Sequence, residues 1–440
     1  HPPSKQCNFL ENIWLKDELI DLRESGFELI KVVILARHAD RGPLRRVKDF
    51  DKLNCDRDRI YSPKWNEDHQ EESHYITLTR RLLSQAHQLE RWNLSSDLTN
   101  LPSEVCALGR LTRLGLSQSI KVGYLLSEVY SPRLALTAST FSDSFQVITT
   151  NHSRTFQSAL SFIYGFASQL NANIFYHSPR FSFAHNPYFS TSWATCRTTI
   201  SRLRSEFDWI HLLEAYELES MNAVLASVAK ILADSSSRSV KFPSLVSILD
   251  GINAYICHDE SLPCHPIDGC LLPKHVQEVL ESLCLLGTKL HASRAYKISS
   301  WLKIYNFLQD LLKQLNRPEK LIFYSGHDLT LEALRAALEI DDCTIPPYAS
   351  RFIFEVYQCN SSKYFRLIYN GVSKYLNIRS QPLIDSNLPL ISVDHFEAHI
   401  RNRFEFYTQS RDCTTACSGG SDHTNNSTEN DENERIGGHI

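Results

Sequence analysis

A chain of 440 residues exceeds one typical domain and predicts two structural units. Hydrophobic residues make up 42 % of it, enough for a sizeable core. A net charge of −4 and a pI near 6.5 exclude nucleic acid as the main partner, and no run approaches the roughly 18 apolar residues that cross a bilayer.

Residues 1–26, with Trp14 and alternating charge, read as a short helical lead-in. The apolar, β-branched run Val32-Val33-Ile34-Leu35 then predicts a strand buried on both faces. It empties into Arg37, His38, Asp40 and Arg41 before Gly42-Pro43 turns the chain. Open α/β sheets place their ligand sites at such carboxyl ends, and two arginines beside a histidine call for an anion. From Val47 to Asn100 the chain is polar and turn-rich, a loop expected to shape access to the site, with helical spacing from Tyr75 to Trp92. A stronger helix is predicted from Leu108 to Tyr130, on the stripe Leu111, Leu114, Leu116, Ile120 and Tyr124. Phe145 to Thr150 reads as a second site strand, ending in Asn151-His152-Ser153-Arg154, with a helix expected over Thr155–Leu170. Arg154 at that strand-to-helix junction can face an anion beside helix N–H groups.

Strand-like runs are scarce between Asn171 and Arg294, where stripes over Leu212–Ala233 and His275–Leu290 predict an inserted helical cap. The aromatics Phe181, Phe183, Tyr188, Trp193 and Trp209 are expected in cores. Another amphipathic helix follows at Ile298–Leu315. Lys320 to Ser325 reads as a buried strand leaving through Gly326-His327-Asp328 into a helix over Leu329–Leu338, the same design as the first site strand. Arg351–Gln358 and Tyr364–Tyr369 alternate as an antiparallel hairpin. From Thr414 onward the Ser, Asn, Asp, Glu and Gly composition predicts a disordered or loosely held tail.

The cysteine count is even, at twelve, and N-x-S/T sequons stand at Asn93, Asn151, Asn360, Asn425 and Asn426. Together they predict a secretory-pathway lumen or the cell exterior. Cys257-His258, Cys264-His265 and Cys270 lack repeated zinc-ligand spacing and read as a disulfide-stapled loop. Cys343 and Cys359 are candidates to staple the hairpin. Because the chain begins at His1, a removed N-terminal targeting or anchoring segment is expected. A glycan on Asn151, three residues from Arg154, would have to face away from any pocket there.

Arg37-His38-Ala39-Asp40-Arg41-Gly42-Pro43 resembles the RHGxRxP signature of the histidine acid phosphatases. Leu111-Thr112-Arg113-Leu114-Gly115 with Gln118 resembles their LTxxGxxQ element, though Arg110 stands where an acid is usual, and that helix is expected to pack on the sheet without a catalytic part. Ser153–Ala159 resembles their second arginine motif, and His327-Asp328 their HD motif. The resemblance spans Lys31 to about Tyr407. It implies an α/β fold, a mixed-sheet core flanked by helices with an inserted, mostly helical cap. The expected divisions are a first core part at 27–170, the cap at 171–294 with its disulfide loop, a second core part at 295–410 and the tail at 414–440.

The chemistry follows from the residue types. Three arginines and a histidine present many N–H donors, which suits a phosphate monoester and its transfer. No metal cluster is evident, so Arg37, Arg41 and Arg154 with His327 are expected to hold phosphate without a metal or other cofactor. His38, its pKa lowered by the flanking arginines, keeps a ring nitrogen for attack on phosphorus. Asp328 is the expected acid for the leaving alkoxide and then the base on water. The family resemblance implies the same assignments. Ala39 stands where the family has glycine; a need for φ > 0 there would strain it. That leaves a relaxed loop, a weakened catalyst or an inactive phosphoglycan-binding relative open.

A finer resemblance within the family rests on RHADRGPL, Ser220-Met221-Asn222 with AVLASVAK, ICHDESLPC with Gly269-Cys270, and RFIFEVY with YNGV. It implies a phosphorylated glycan of the proteoglycan linkage region as substrate, Golgi glycosyltransferases as neighbours and the Golgi lumen as location. A broad-specificity secreted acid phosphatase or a phytase is the alternative. Arg45 or Arg46 and the cap aromatics are candidates to contact sugar.

Overall fold

The computed structural model describes residues 5–55, 106–170, 180–191, 193–204, 219–233, 244–340, 343–376 and 389–418. The stripe over Tyr75–Trp92, Trp209, most of the polar stretch after Val47, the start of the Leu212–Ala233 stripe and the chain beyond residue 418 lie outside the described residues. Residues 5–26 hold short 3-10 turns, such as Lys5–Cys7 and Asp17–Leu19, joined by irregular chain.

A mixed sheet forms the centre. The first strand, β1 (Glu28–Arg37), lies between β6 (Leu321–Gly326) and β7 (Arg351–Cys359), parallel to the former and antiparallel to the latter. Outward from β6 follow β2 (Phe145–Thr150) and β3 (Arg180–Ala184), both parallel. Outward from β7 follow β8 (Ser362–Tyr369), which also pairs with the short β9 (Val372–Ser373), and β10 (Leu390–Ser392), all antiparallel. The β7–β8 turn passes through Asn360 at φ 52°, a left-handed position that Asn tolerates.

Alternation along β1 feeds two cores, as expected of a strand buried on both faces. Val32, Ile34 and Ala36 join the cluster under α1 (Arg113–Arg133) and α2 (Ser153–Gln169). Val33 and Leu35 join the other, under α7 (Arg294–Gln314), α8 (Asp328–Ala337) and α9 (Val393–Thr408). In α1 the buried face is Gly115, Leu116, Ser119, Ile120, Val122, Gly123 and Leu126, while Leu114 and Tyr124 are half-buried. Small residues share that face with Leu116, Ile120, Val122 and Leu126, and an apolar stripe does not register the small ones.

A third cluster joins α4 (Glu219–Leu232), α5 (Leu245–Ile256) and α6 (Pro273–Ala292) through Leu225, Val228, Leu249, Ile252 and Val279, with Phe50 and Leu53. The stretch 171–294 is not helical throughout. Its β3 is the edge strand of the main sheet, and α3 (Trp193–Arg204) sends Cys196 and Ile200 into the core beneath that sheet. The aromatic run Phe181-Ser182-Phe183 is that strand.

Five disulfides form: Cys7–Cys257, Cys55–Cys106, Cys196–Cys417, Cys264–Cys270 and Cys284–Cys343. The expected loop staple is present as Cys264–Cys270, across the small hairpin of β4 (Cys264–His265) and β5 (Gly269–Cys270). The expected Cys343–Cys359 staple is not, because Cys343 pairs with Cys284 on α6. Nor does the tail begin at Thr414: α10 (Cys413–Ser418) is ordered helix, tied to α3 by Cys417. Among the described residues, no helix is long and apolar enough to cross a membrane.

Candidate active site

Strand register brings three strand exits to one edge. Arg37 lies opposite Gly326, and Thr149 lies opposite Ser325. The residues that follow β1, β6 and β2 therefore converge, and His38 N donates to Gly326 O at 2.8 Å. Arg37, His38, Arg41, Arg154, His327 and Asp328, all six residues singled out from the sequence, line one cavity of about 420 Å³.

The loop after β1 is fixed from below by the LTxxGxxQ element. Thr112 Oγ1 caps α1 by accepting from Gly115 N and donates to Asp40 Oδ2 at 2.5 Å. Gln118 Oε1 accepts from Asp40 N at 2.9 Å, and its Nε2 donates to Cys7 O and Asn8 O. A Cβ on Gly115 would stand 2.1 Å from Asp40 O, so only glycine permits this approach. Asp40 is buried, its pKa raised by desolvation, and faces His258 Nε2 at 3.3 Å. Ala39 does not adopt positive φ, donates its N–H to Ser158 Oγ at 3.1 Å and is fully buried. Its methyl group therefore carries no backbone strain, which removes the reason to expect an inactive relative.

His38 is buried, and its Nδ1 lies 2.9 Å from Ala39 O. A carbonyl only accepts, so Nδ1 carries the proton and Nε2 keeps its lone pair. Burial, then the charges of Arg154, Arg37 and Arg41 and the neighbouring His327, hold its pKa well below the ordinary histidine value. His327 is held the same way, by burial, then by Arg154, His152 and the other two arginines. Its Nε2 bonds Thr150 Oγ1 at 2.9 Å, which in turn bonds Thr155 Oγ1. That chain leaves Nδ1 toward Arg154 Nη2 at 3.5 Å.

The three guanidinium groups differ in their partners. Arg37 donates to Pro346 O at 2.5 Å, pairs with Asp328 at 3.2 Å and lies over the Tyr348 ring. Arg41 pairs with Asp250 at 2.7 Å; burial opposes its charge, but Asp250, Tyr348 and Asp328 together outweigh burial and raise its pKa. Arg154 has no ion-pair partner among the described residues, and burial with the repulsion of Arg41 brings it down to about 10. In all three the Nε–H is buried with no hydrogen-bond partner. Three cations face two carboxylates, so the site holds excess positive charge and unused donors, the complement of an oxyanion. Among the described residues, no cluster of His, Cys, Asp and Glu could hold a metal ion.

Several contributors were not singled out from the sequence. Asp250 comes from α5, where it is the single charge in LVSILDGINAYI, and that isolation was the available signal. Its other oxygen accepts from Leu44 N at 2.7 Å, tying the loop to the helix. His152 lines the cavity with a pKa lowered by burial and Arg154 to about 4. Tyr348 and Thr150 carry no motif signal. Of the two candidate sugar contacts, Arg45 lines the cavity, whereas Arg46 turns to Asp51. Asn151 is exposed, as is Asn360, so a glycan on Asn151 is compatible with an open pocket.

A parallel-stranded edge bearing a histidine, three arginines and a carboxylic acid defines a phosphoryl-transfer site of the histidine phosphatase kind. The chain belongs to the histidine phosphatase superfamily (branch 2), whose family model matches residues 28–244 and 279–370. It is a phosphoric monoester hydrolase. Human 2-phosphoxylose phosphatase 1 is 25 % identical over 360 residues, 79 % of this chain and 71 % of that protein. The protein of the same name from Rattus norvegicus is 26 % identical over 359 residues, 78 % of this chain and 71 % of that protein. Among solved structures, a multiple inositol polyphosphate phosphatase from Bifidobacterium longum in complex with inositol hexasulfate aligns with a TM-score of 0.57 at 11 % identity, covering 86 % of this chain and 93 % of that one. A phytase from Citrobacter braakii gives 0.53 at 14 % identity, covering 86 % and 98 %. At these identities the two structures speak for the fold.

Proposed function

We propose that this chain removes the 2-phosphate from xylose in the glycosaminoglycan–protein linkage region of proteoglycans, through a phosphohistidine on His38. The observation that carries the reaction is the set of three buried guanidinium groups with unused Nε–H donors around the lone pair of His38 Nε2. Arg37, Arg41, Arg154 and His327 hold the phosphate oxygens and stabilise the charge that spreads over them in transfer. His38 Nε2 attacks phosphorus; the N–P bond forms as the ester P–O bond breaks. The departing alkoxide takes its proton from Asp328. Asp328 pairs with Arg37 before substrate arrives. A phosphate dianion that engages Arg37 removes that cation and adds a like charge, which favours the protonated carboxyl. In the second half Asp328 accepts a proton from water, the water oxygen attacks phosphorus, and the N–P bond breaks to regenerate His38.

The names of the relatives supply the xylose 2-phosphate reading. Five disulfides and the exposed sequons Asn151 and Asn360 support an oxidising lumen; we place the protein in the Golgi, beside the glycosyltransferases that extend the same glycan.

Rapid acid-free quenching during turnover should trap phosphate on His38, and His38→Ala should abolish turnover. Asp328→Asn should slow a sugar phosphate at least tenfold more than 4-nitrophenyl phosphate, whose leaving group needs little proton help. Equal slowing of both substrates would remove Asp328 as the acid. Faster turnover of inositol hexakisphosphate than of a phosphoxylosyl linkage oligosaccharide would favour the phytase reading instead.

A further inference from the structure

The cavity does not end at the phosphate site. It continues along α8, one turn past Asp328, to Glu332, and it is also lined by Asn253, on α5 three residues after Asp250. Glu332 is held rather than mobile. Its Oε1 bonds His291 Nε2 at 2.6 Å and accepts from the Tyr296 hydroxyl at 3.3 Å. Its Oε2 lies 3.2 Å from Arg335 Nη1 as an ion pair, but out of hydrogen-bonding geometry, so that oxygen is buried without a hydrogen-bond partner. Arg335 is engaged with backbone as well, donating to Thr344 O at 2.5 Å. Asn253 is more than nine-tenths buried, and its Oδ1 also lacks a hydrogen-bond partner.

Asn253 Oδ1 has no partner and Glu332 Oε2 has only the Arg335 ion pair, so both residues lining this cavity can take a further donor. A phosphate dianion offers none and would meet a carboxylate there. A hydroxyl offers one, and it remains neutral. Leucine side chains line the same cavity, Leu283, Leu290 and Leu329 among them, which suits the C–H faces of a sugar ring. We propose that Glu332 and Asn253 form a leaving-group subsite that selects an uncharged, polyhydroxylated sugar carrying a single phosphate. His291 and Arg335 act as positioning residues that keep the Glu332 carboxylate turned to it. This subsite rests on the phosphatase reading above and adds the residues that choose the leaving group.

The test compares xylose 2-phosphate with 4-nitrophenyl phosphate, in which a nitro-substituted ring replaces the hydroxyls. Asn253→Leu keeps the volume of the side chain and removes the acceptor. Glu332→Gln keeps the shape and removes the charge. Each should lower the ratio of kcat/KM for the sugar phosphate to that for the aryl phosphate by about five- to tenfold, the loss of one hydrogen bond. The loss should fall in KM more than in kcat. Calorimetry on His38→Ala supplies a readout independent of turnover: the sugar phosphate should bind less tightly when either change is added, while inorganic phosphate should bind alike in all three proteins. An unchanged selectivity ratio in both variants, or equal weakening of sugar phosphate and inorganic phosphate, overturns the subsite and leaves the phosphatase reading standing. A wild-type protein that turns over neither substrate overturns that reading, and the subsite with it.

Discussion

Asp250 shows how much of this site depends on a residue with no motif around it. It accepts from Arg41 with one oxygen and from Leu44 N with the other, so it sets both the guanidinium and the loop that carries it. Removing one partner of a buried pair leaves an uncompensated charge and costs about 3–5 kcal/mol. Asp250→Ala is expected to destabilise by that order and to lower kcat/KM on an aryl phosphate about tenfold or more. Asp250→Asn, whose single carbonyl oxygen can accept from Arg41 or from Leu44 N but not from both, should recover part of the stability and part of the rate. A residue with a purely electrostatic role would not be rescued by the neutral amide, so thermal unfolding and kinetics of the two variants decide between the roles. The charged residues at the strand exits were legible in the sequence because strand, exit and turn follow one another within a few positions. Asp250, Asn253 and Tyr348 were not, and His152, two residues from Arg154, carried no motif role. The first three reach the site by packing between separate segments, of which adjacency in the chain carries no trace.

Motif and packing are one thing in α1. Its LTxxGxxQ residues read as a helix laid on the sheet, yet Thr112, Gly115 and Gln118 each bear on the main chain or carboxylate of Asp40. The helix therefore mounts the loop that carries His38 and does not itself line the cavity. Gly115→Ala would place a methyl group 2.1 Å from Asp40 O, against main chain that cannot rotate away. We expect a loss of about 1–3 kcal/mol from overpacking and a fall in kcat as the loop shifts. Ser119→Ala, on the same buried face but away from Asp40, should do neither; equal effects would show that the helix serves stability alone. Elements with a strong period were placed well from sequence: β1, the β7–β8 hairpin and α7 lie within a few residues of their expected bounds. The stretch 171–294 was misread in part because β3 is an edge strand of five residues, too short for its alternation to stand out from the aromatics around it. Cysteine pairing was misread at Cys343 for a different reason. Its partner Cys284 sits on a helix 59 residues away, and only the tertiary fold brings the two together.

At the scale of the molecule, an apo site built from cations and neutral histidines links stability to pH. Burial and the arginines lower His38 and His327 well below the ordinary value of 6.5, and His152 to about 4. Above about pH 6.5 these rings are neutral in folded and unfolded chains alike. Below it the unfolded chain takes up protons that the folded one refuses, so stability falls as pH drops from about 6.5 toward the folded values. Lys31 and Lys303, lowered by burial to about 8, are charged in both states throughout that window and add no slope. Asp40, whose pKa burial raises, opposes the trend between the ordinary carboxylate value and its raised one. Bound phosphate reverses the balance, because its charge favours the protonated rings and because it binds only the folded site. Denaturant unfolding without phosphate should therefore lose stability between about pH 6.5 and 5, at up to about 1.4 kcal/mol per pH unit for each histidine that titrates only when unfolded. Saturating inorganic phosphate should flatten that slope, and His38→Ala should reduce it in the absence of phosphate. A slope that is absent in the wild type, or that phosphate steepens, would mean that the histidines are not held neutral by the arginines around them, and the lone pair on which the proposed attack depends would have to be supplied in another way.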